Sequence, residues 1–141
     1  MRRRACCVLG LILGLALLPA SQAVPPARAQ EEIDYLLQFV KTSGCAFYRN
    51  GSWYDSAKAE GHLRDKYTML VARDQIQTAE EFIDKVATKS SLSGLPYAVQ
   101  CADVESASSR QWLLDALARH RAPSGNDAPP GTPPLEKTIL R

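Results

Sequence analysis

Segments that do not read as folded domain occupy both ends of this chain, and what lies between them limits what it can build. The N-terminus reads Met1-Arg-Arg-Arg, then an apolar run from Ala5 to Leu18, then Pro19-Ala20-Ser21-Gln22-Ala23. A positive start, a short apolar run and small residues at −3 and −1 form the secretory signal pattern. The run falls short of the ~20 residues that span a bilayer, and Pro19 closes it, so residues 1–23 are expected to be a signal peptide rather than an anchor. Cleavage after Ala23 (Ser-Gln-Ala) and after Ala29 (Ala-Arg-Ala) both fit the pattern, and no cysteine follows the run to make a lipoprotein. At the other end, residues 122–141 are rich in proline and glycine, lack aromatics and are expected to be a disordered tail.

A small globular domain, 31–121, remains. About 90 residues bury only about 60–65% of the unfolded surface, which excludes a two-domain enzyme, a dinucleotide fold and a solenoid. Charge narrows the partners. The formal charge of the whole chain is +2, and removing Arg2, Arg3 and Arg4 takes it to −1. A near-neutral domain has no basic footprint, so nucleic acid is not an expected partner.

Export also sorts the cysteines. Cys6 and Cys7 leave with the leader, while Cys45 and Cys101 stay. An even count in an oxidising compartment reads as one disulfide. The competing reading, a metal or redox pair, lacks a Cys-x-x-Cys and has only two distant histidines to call on, so no metal and no cofactor are expected.

Periodicity gives the elements. Ile33, Leu36, Leu37 and Val40 lie on one stripe of a helix over Glu31–Thr42, with Glu31, Glu32 and Asp34 expected in its first turn and Gly44 as its stop. Asn50-Gly51 suits a tight turn, and Asp55-Ser56 an N-cap. A second helix from about Ala57 to Arg73 carries Ala59, Leu63, Tyr67 and Leu70 inward, with Lys66 among them and His62 at the edge. Thr78-Ala-Glu-Glu81 is a capping box for a third helix that buries Phe82, Ile83, Val86 and Ala87. Tyr97-Ala98-Val99-Gln100-Cys101 alternates like a half-buried strand, and Ser108-Ser-Arg-Gln111 reads as a capping box for a fourth helix with Trp112, Leu113, Leu114 and Leu117. The expected fold is α+β and mostly α: about four helices, a short two-stranded antiparallel ribbon and one disulfide. In that ribbon Cys45 faces Cys101, which sets Phe47 opposite Val99 and Arg49 opposite Tyr97, with the apolar set on one face.

Four stretches, Phe47-Tyr-Arg-Asn-Gly51, Ala59-Glu-Gly-His-Leu-Arg-Asp-Lys66, Thr78-Ala-Glu-Glu-Phe-Ile-Asp-Lys-Val-Ala87 and Ser90-Ser-Leu-Ser-Gly-Leu-Pro-Tyr97, carry a resemblance over residues 31–120. The chain resembles the YfeK-like exported bacterial proteins, catalogued as domain of unknown function 5329. The resemblance implies a periplasmic location and a compact, mostly helical domain, and it brings no catalytic assignment. The resemblance does not extend to Cys45 and Cys101; as a local addition they are expected to be stabilising rather than catalytic.

Catalytic signatures are missing: there is no His-Glu-x-x-His, Gly-x-Ser-x-Gly, Ser-x-x-Lys, phosphate loop or EF-hand loop. The candidate site is a polar cluster of Arg49, His62, Lys66, Ser90 and Ser91. His62 and Lys66 are one helical turn apart, Arg49 precedes the tight turn before that helix, and the serines follow the next helix. Lys66 inside an apolar stripe calls for an anion from the protein or from a ligand. The plainer reading has it reaching solvent or pairing with Asp84.

The expected function is therefore that of a periplasmic, non-enzymatic binding or interaction protein. Its partner would be a periplasmic protein, an envelope component or a small anion, with no stable membrane span once the signal is removed. The alternative is a small periplasmic hydrolase or transferase using His62 with Arg49, Lys66 and Ser90/Ser91. N-terminal sequencing of the protein from a periplasmic fraction should begin at Val24 or Gln30; intact Met1 in a membrane fraction would contradict export.

Overall fold

A computed structural model describes residues 24–102 and 104–123. The expected signal peptide at 1–23 and residues 124–141 of the expected tail lie outside the described residues. The first helix, α1 (Ala27–Thr42), turns Ala29, Ile33, Leu36, Leu37 and Val40 into the core at the expected helical spacing. Ser43 ends it, and Gly44 follows at φ 66°, a left-handed position that glycine takes without strain.

The start of α1 differs from expectation. It begins four residues before Glu31, directly after Pro26, so no acidic residue lies in its first turn. Ala27, Arg28, Ala29 and Gln30 are strong helix formers, and they carry the helix back to the proline that cannot continue it. Glu32 is consequently buried in the second turn, where it takes an ion pair from Arg28 (3.2 Å) and another from Arg121 (2.6 Å).

The sheet is larger than the two-stranded ribbon expected from the sequence. Strands β1 (Ala46–Arg49), β2 (Ser52–Tyr54), β3 (Ala98–Gln100) and β4 (Ala107–Ser108) form one antiparallel sheet in the order β2-β1-β3-β4. Two short additions account for the difference. Asn50 and Gly51 both take positive φ, 49° and 87°, and fold Ser52–Tyr54 back onto the free edge of β1. Ala107 and Ser108 satisfy the other edge of β3. The central pairing is the expected one: Phe47 faces Val99, and a disulfide joins Cys45 to Cys101 with Cα atoms 4.3 Å apart.

Helix α2 (Ser56–Val71) is capped by Asp55, whose carboxylate accepts the Lys58 N–H at 2.8 Å. It buries Leu63 and Lys66, with Ala59, Tyr67 and Leu70 half-buried beside them. Helix α3 (Ala79–Val86) is capped by Thr78, while Glu81 reaches back to the Gln77 N–H instead of the cap residue's own. Phe82, Ile83, Val86 and Ala87 are fully buried, together with Ile76 from the preceding loop. Helix α4 (Ser109–Arg121) buries Leu113, Ala116 and Leu117. Its expected capping box does not form. Ser108 is paired into the sheet opposite Ala98 and makes no side-chain cap, and Gln111 bonds Asp115 instead. Helix α1 touches the other three helices, so the core lies around it.

The disulfide closes a loop with a sequence separation of 56. Chain entropy alone makes such a loop worth about 4 kcal/mol, an upper value. A Cys45→Ala/Cys101→Ala double variant should melt at least about 10 °C below the parent by calorimetry. An unchanged melting temperature would show that the disulfide adds nothing to the stability of the folded domain.

Candidate functional site

All five sequence-proposed residues line one surface hollow. Arg49, His62, Lys66, Ser90 and Ser91 surround a space of about 400 Å³, together with Asn50, Asp65, Met69, Leu92 and Tyr97. Each arrives there by a local rule. Arg49 is two residues beyond Phe47 on β1, so strand alternation keeps it on the core-facing side, where the strand runs out of core to cover it. His62 and Lys66 stand one turn apart on α2. Ser90 and Ser91 begin the turn after α3, which Gly94 helps close at φ 72°.

Lys66 is 6% exposed and has a protein partner that neither sequence reading named. Its ammonium donates to the carbonyl oxygens of Val86 (3.1 Å), the last residue of α3, and of Lys89 (2.9 Å) in the segment that follows it. Helix C-termini leave carbonyls without intrahelical donors and carry partial negative charge, so a buried ammonium fits there. Asp84, the expected alternative, pairs instead with Arg110 at 2.8 Å. An ammonium has three donors, and two are used among the described residues. Its nitrogen also stands 5.7 Å from the centre of the Tyr97 ring.

Tyr97 is the residue that the sequence reading placed in the strand and did not assign to the site. Its hydroxyl is hydrogen-bonded to His62 Nε2 at 3.2 Å. The register could have found it, because Tyr97 stands opposite Arg49 when Cys45 faces Cys101. Arg49 lies over the Tyr54 ring at 5.6 Å, and its Nε is buried without a hydrogen-bond partner among the described residues.

The serines have structural work. Ser90 is buried, and its Oγ accepts the N–H groups of Leu92 and Ser93, both at 3.3 Å. Ser91 is exposed at the rim. Ser93 donates to Asn50 Oδ1 at 2.6 Å, tying this turn to the β1–β2 turn across the hollow.

Electrostatically the site is short of negative charge. Burial pushes the His62 pKa below its ordinary value, and the charges of Arg49 and Lys66 push it further, against the pull of Asp65. Burial likewise lowers Lys66, with Arg49 and Lys89 adding to the effect. Burial raises Tyr97. Among the described residues no cluster of three or more His, Cys, Asp or Glu could hold a metal ion. His120, the other histidine, stacks on Tyr35 with ring centres 4.0 Å apart, on the α1–α4 side of the molecule.

Fold and site together define a small disulfide-clamped α+β domain with a cation-lined hollow between sheet, α2 and the turn after α3. The chain belongs to a family of unknown function (DUF5329), whose sequence profile matches residues 27–121. It is similar to the uncharacterized protein YfeK of Salmonella typhimurium, 37% identical over 97 residues that cover 69% of this chain and 77% of that one. No solved structure matches it.

The shifts fix a pH dependence. A histidine whose folded pKa is depressed contributes stability above its unfolded value and loses it as pH falls. Glu32 and Glu80 are lowered mainly by hydrogen bonds from Arg121, and they lose their contribution in the same direction but from 4.5 downward. Melting temperature should therefore fall in two stages, the first beginning near pH 6.5 and the second near pH 4.5. His62→Gln should flatten the first stage and leave the second, as read by calorimetry from pH 8 to 3.

Proposed function

We propose that this is an exported, non-enzymatic binding protein whose hollow at Arg49, His62 and Lys66 holds a small anionic group, with Ser90 and Ser91 shaping its floor and rim. One observation carries this reading. Of the described lysines and arginines without a carboxylate within 4.0 Å, Lys41, Lys58, Arg73, Lys89 and Arg119 are exposed to water, whereas Arg49 and Lys66, which share one hollow, are half-buried and buried. Asp65 lines the same hollow but is exposed and pairs with neither. Cations drawn partly out of water without an anion are a cost that a bound anion removes.

The hydrolase or transferase reading draws less support from the same residues. His62 is bonded to Tyr97 rather than to a serine, and Ser90 Oγ is occupied by two backbone N–H groups. A nucleophile and its base need a mutual hydrogen bond.

The periplasm is the proposed location. The arginine-rich leader supports it, and so does a disulfide, which persists in oxidising compartments. No described helix is long and apolar enough to cross a membrane. The proposed cleavage point is Ala23. Cutting after Ala29 would remove the first turn of α1, with buried Ala29 and the Arg28 that pairs with Glu32.

Thermal unfolding with inorganic phosphate or acetate tests the anion reading. A ligand at about a hundredfold its Kd stabilises by about 2.7 kcal/mol, roughly ten degrees or more for a domain of this size. Phosphate or acetate should raise the melting temperature of the parent, and Lys66→Met and Arg49→Gln should abolish the rise while remaining folded. No rise in the parent with either anion would overturn the proposal.

A further inference from the structure

A second, smaller hollow lies on the other side of Arg49, His62 and Tyr97, the three residues that line both spaces. It encloses about 150 Å³ between β1, the end of β2 and the first turns of α2. Its walls are mainly rings and aliphatic groups: Phe47, Tyr48, Tyr54, Ala59, Leu63 and Tyr97. Besides the three tyrosines, the titratable residues that line it are Arg49, Lys58 and His62, and no Asp or Glu is among its lining residues.

Size and chemistry select an occupant. An apolar cavity of about 150 Å³ is large enough for one benzene-sized ring and too small for a fused polycycle or a lipid chain. Aromatic walls favour a flat guest by offset stacking or edge contacts. Arg49 supplies the other half. Its guanidinium is held over Tyr54 at 5.6 Å, and its Nε is buried without a hydrogen-bond partner among the described residues. The Nε–H and a neighbouring Nη–H point the same way and match the two oxygens of a carboxylate.

We propose that the ligand class is a small ring-bearing carboxylic acid, its single ring seated in the smaller hollow and its carboxylate paired with Arg49. This rests on the anion-binding reading above and specifies its ligand. Inorganic phosphate and acetate occupy the cationic hollow alone, whereas a ring acid gains the apolar burial as well. A neutral molecule of the same shape gains the burial and forgoes the ion pair.

Isothermal titration of the full exported protein with benzoate, phenylacetate, acetate, phosphate and benzyl alcohol separates these contributions. Benzoate or phenylacetate should bind at least about tenfold more tightly than acetate, and benzyl alcohol at least about tenfold more weakly than the ring acids. Ala59→Leu, which fills the smaller hollow from α2, should remove the advantage of the ring acids while phosphate binding stays as in the parent. Should that variant fail to fold, Ala59→Val asks the same question with less added volume, and the ligand series on the parent stands without either. Acetate and phosphate binding as tightly as the ring acids would overturn the ring assignment and leave the anion reading intact. Benzyl alcohol matching benzoate would overturn the carboxylate pairing. Ring acids unaffected in a folded Ala59→Leu protein would place the ring elsewhere and overturn the proposal. No binding by any of the five would sink both readings.

Discussion

The clamp between β1 and β3 is the constraint on which most of this molecule depends. A covalent bond at Cys45–Cys101 leaves one antiparallel register, and that register sends Phe47 and Val99 together into the core. Strand alternation then carries Arg49 and Tyr97 to the same side of the sheet, two residues on, where the helices no longer cover it completely. A slip of one residue would turn one strand's apolar set to solvent and would take Arg49 out of the hollow. The pairing that stabilises the sheet and the pairing that assembles the site are one arrangement.

A second set of contacts holds the helices to one another. Arg121, at the last turn of α4, donates to Glu32 on α1 and to Glu80 on α3, and Arg28 adds a further bond to Glu32. The hydrogen bonds from Arg121 and Arg28 outweigh the cost of burying Glu32 and hold its carboxyl below the ordinary pKa. The domain is small, and three helix ends converge on one guanidinium. Removing Arg121 would leave a buried carboxylate with only the exposed Arg28, a larger loss than a surface ion pair usually represents.

Lys66 shows how one side chain can serve packing and chemistry together. It closes the C-terminal end of α3 by donating to Val86 and Lys89, and in doing so it brings a positive charge to the edge of the hollow beside Arg49 and His62. The helix end compensates it with dipoles rather than with a full negative charge. No carboxylate pairs with that charge among the described residues, and it adds, after burial and Arg49, to the lowering of the His62 pKa.

Local patterns in the sequence determined the four helices, their apolar faces, the caps at Asp55 and Thr78, the Asn50-Gly51 turn and the β1–β3 register, because each is set by residues close in sequence or by the single covalent link. The gathering of Arg49, His62, Lys66, Ser90 and Ser91 was legible too, since the register, one helical turn and the turn after α3 place them. Tertiary structure alone decided the rest. Ser108 stands at the N-cap of α4 without a side-chain cap and pairs in the sheet with Ala98, a long-range contact that no local motif reports. The partner of Lys66 is a pair of carbonyls 20 and 23 residues away in the chain, and backbone carbonyls leave no mark in residue identity. The second hollow depends on how far β2 and α2 stand apart. That spacing is set by side chains packed from several elements at once, and no spacing along the chain encodes it.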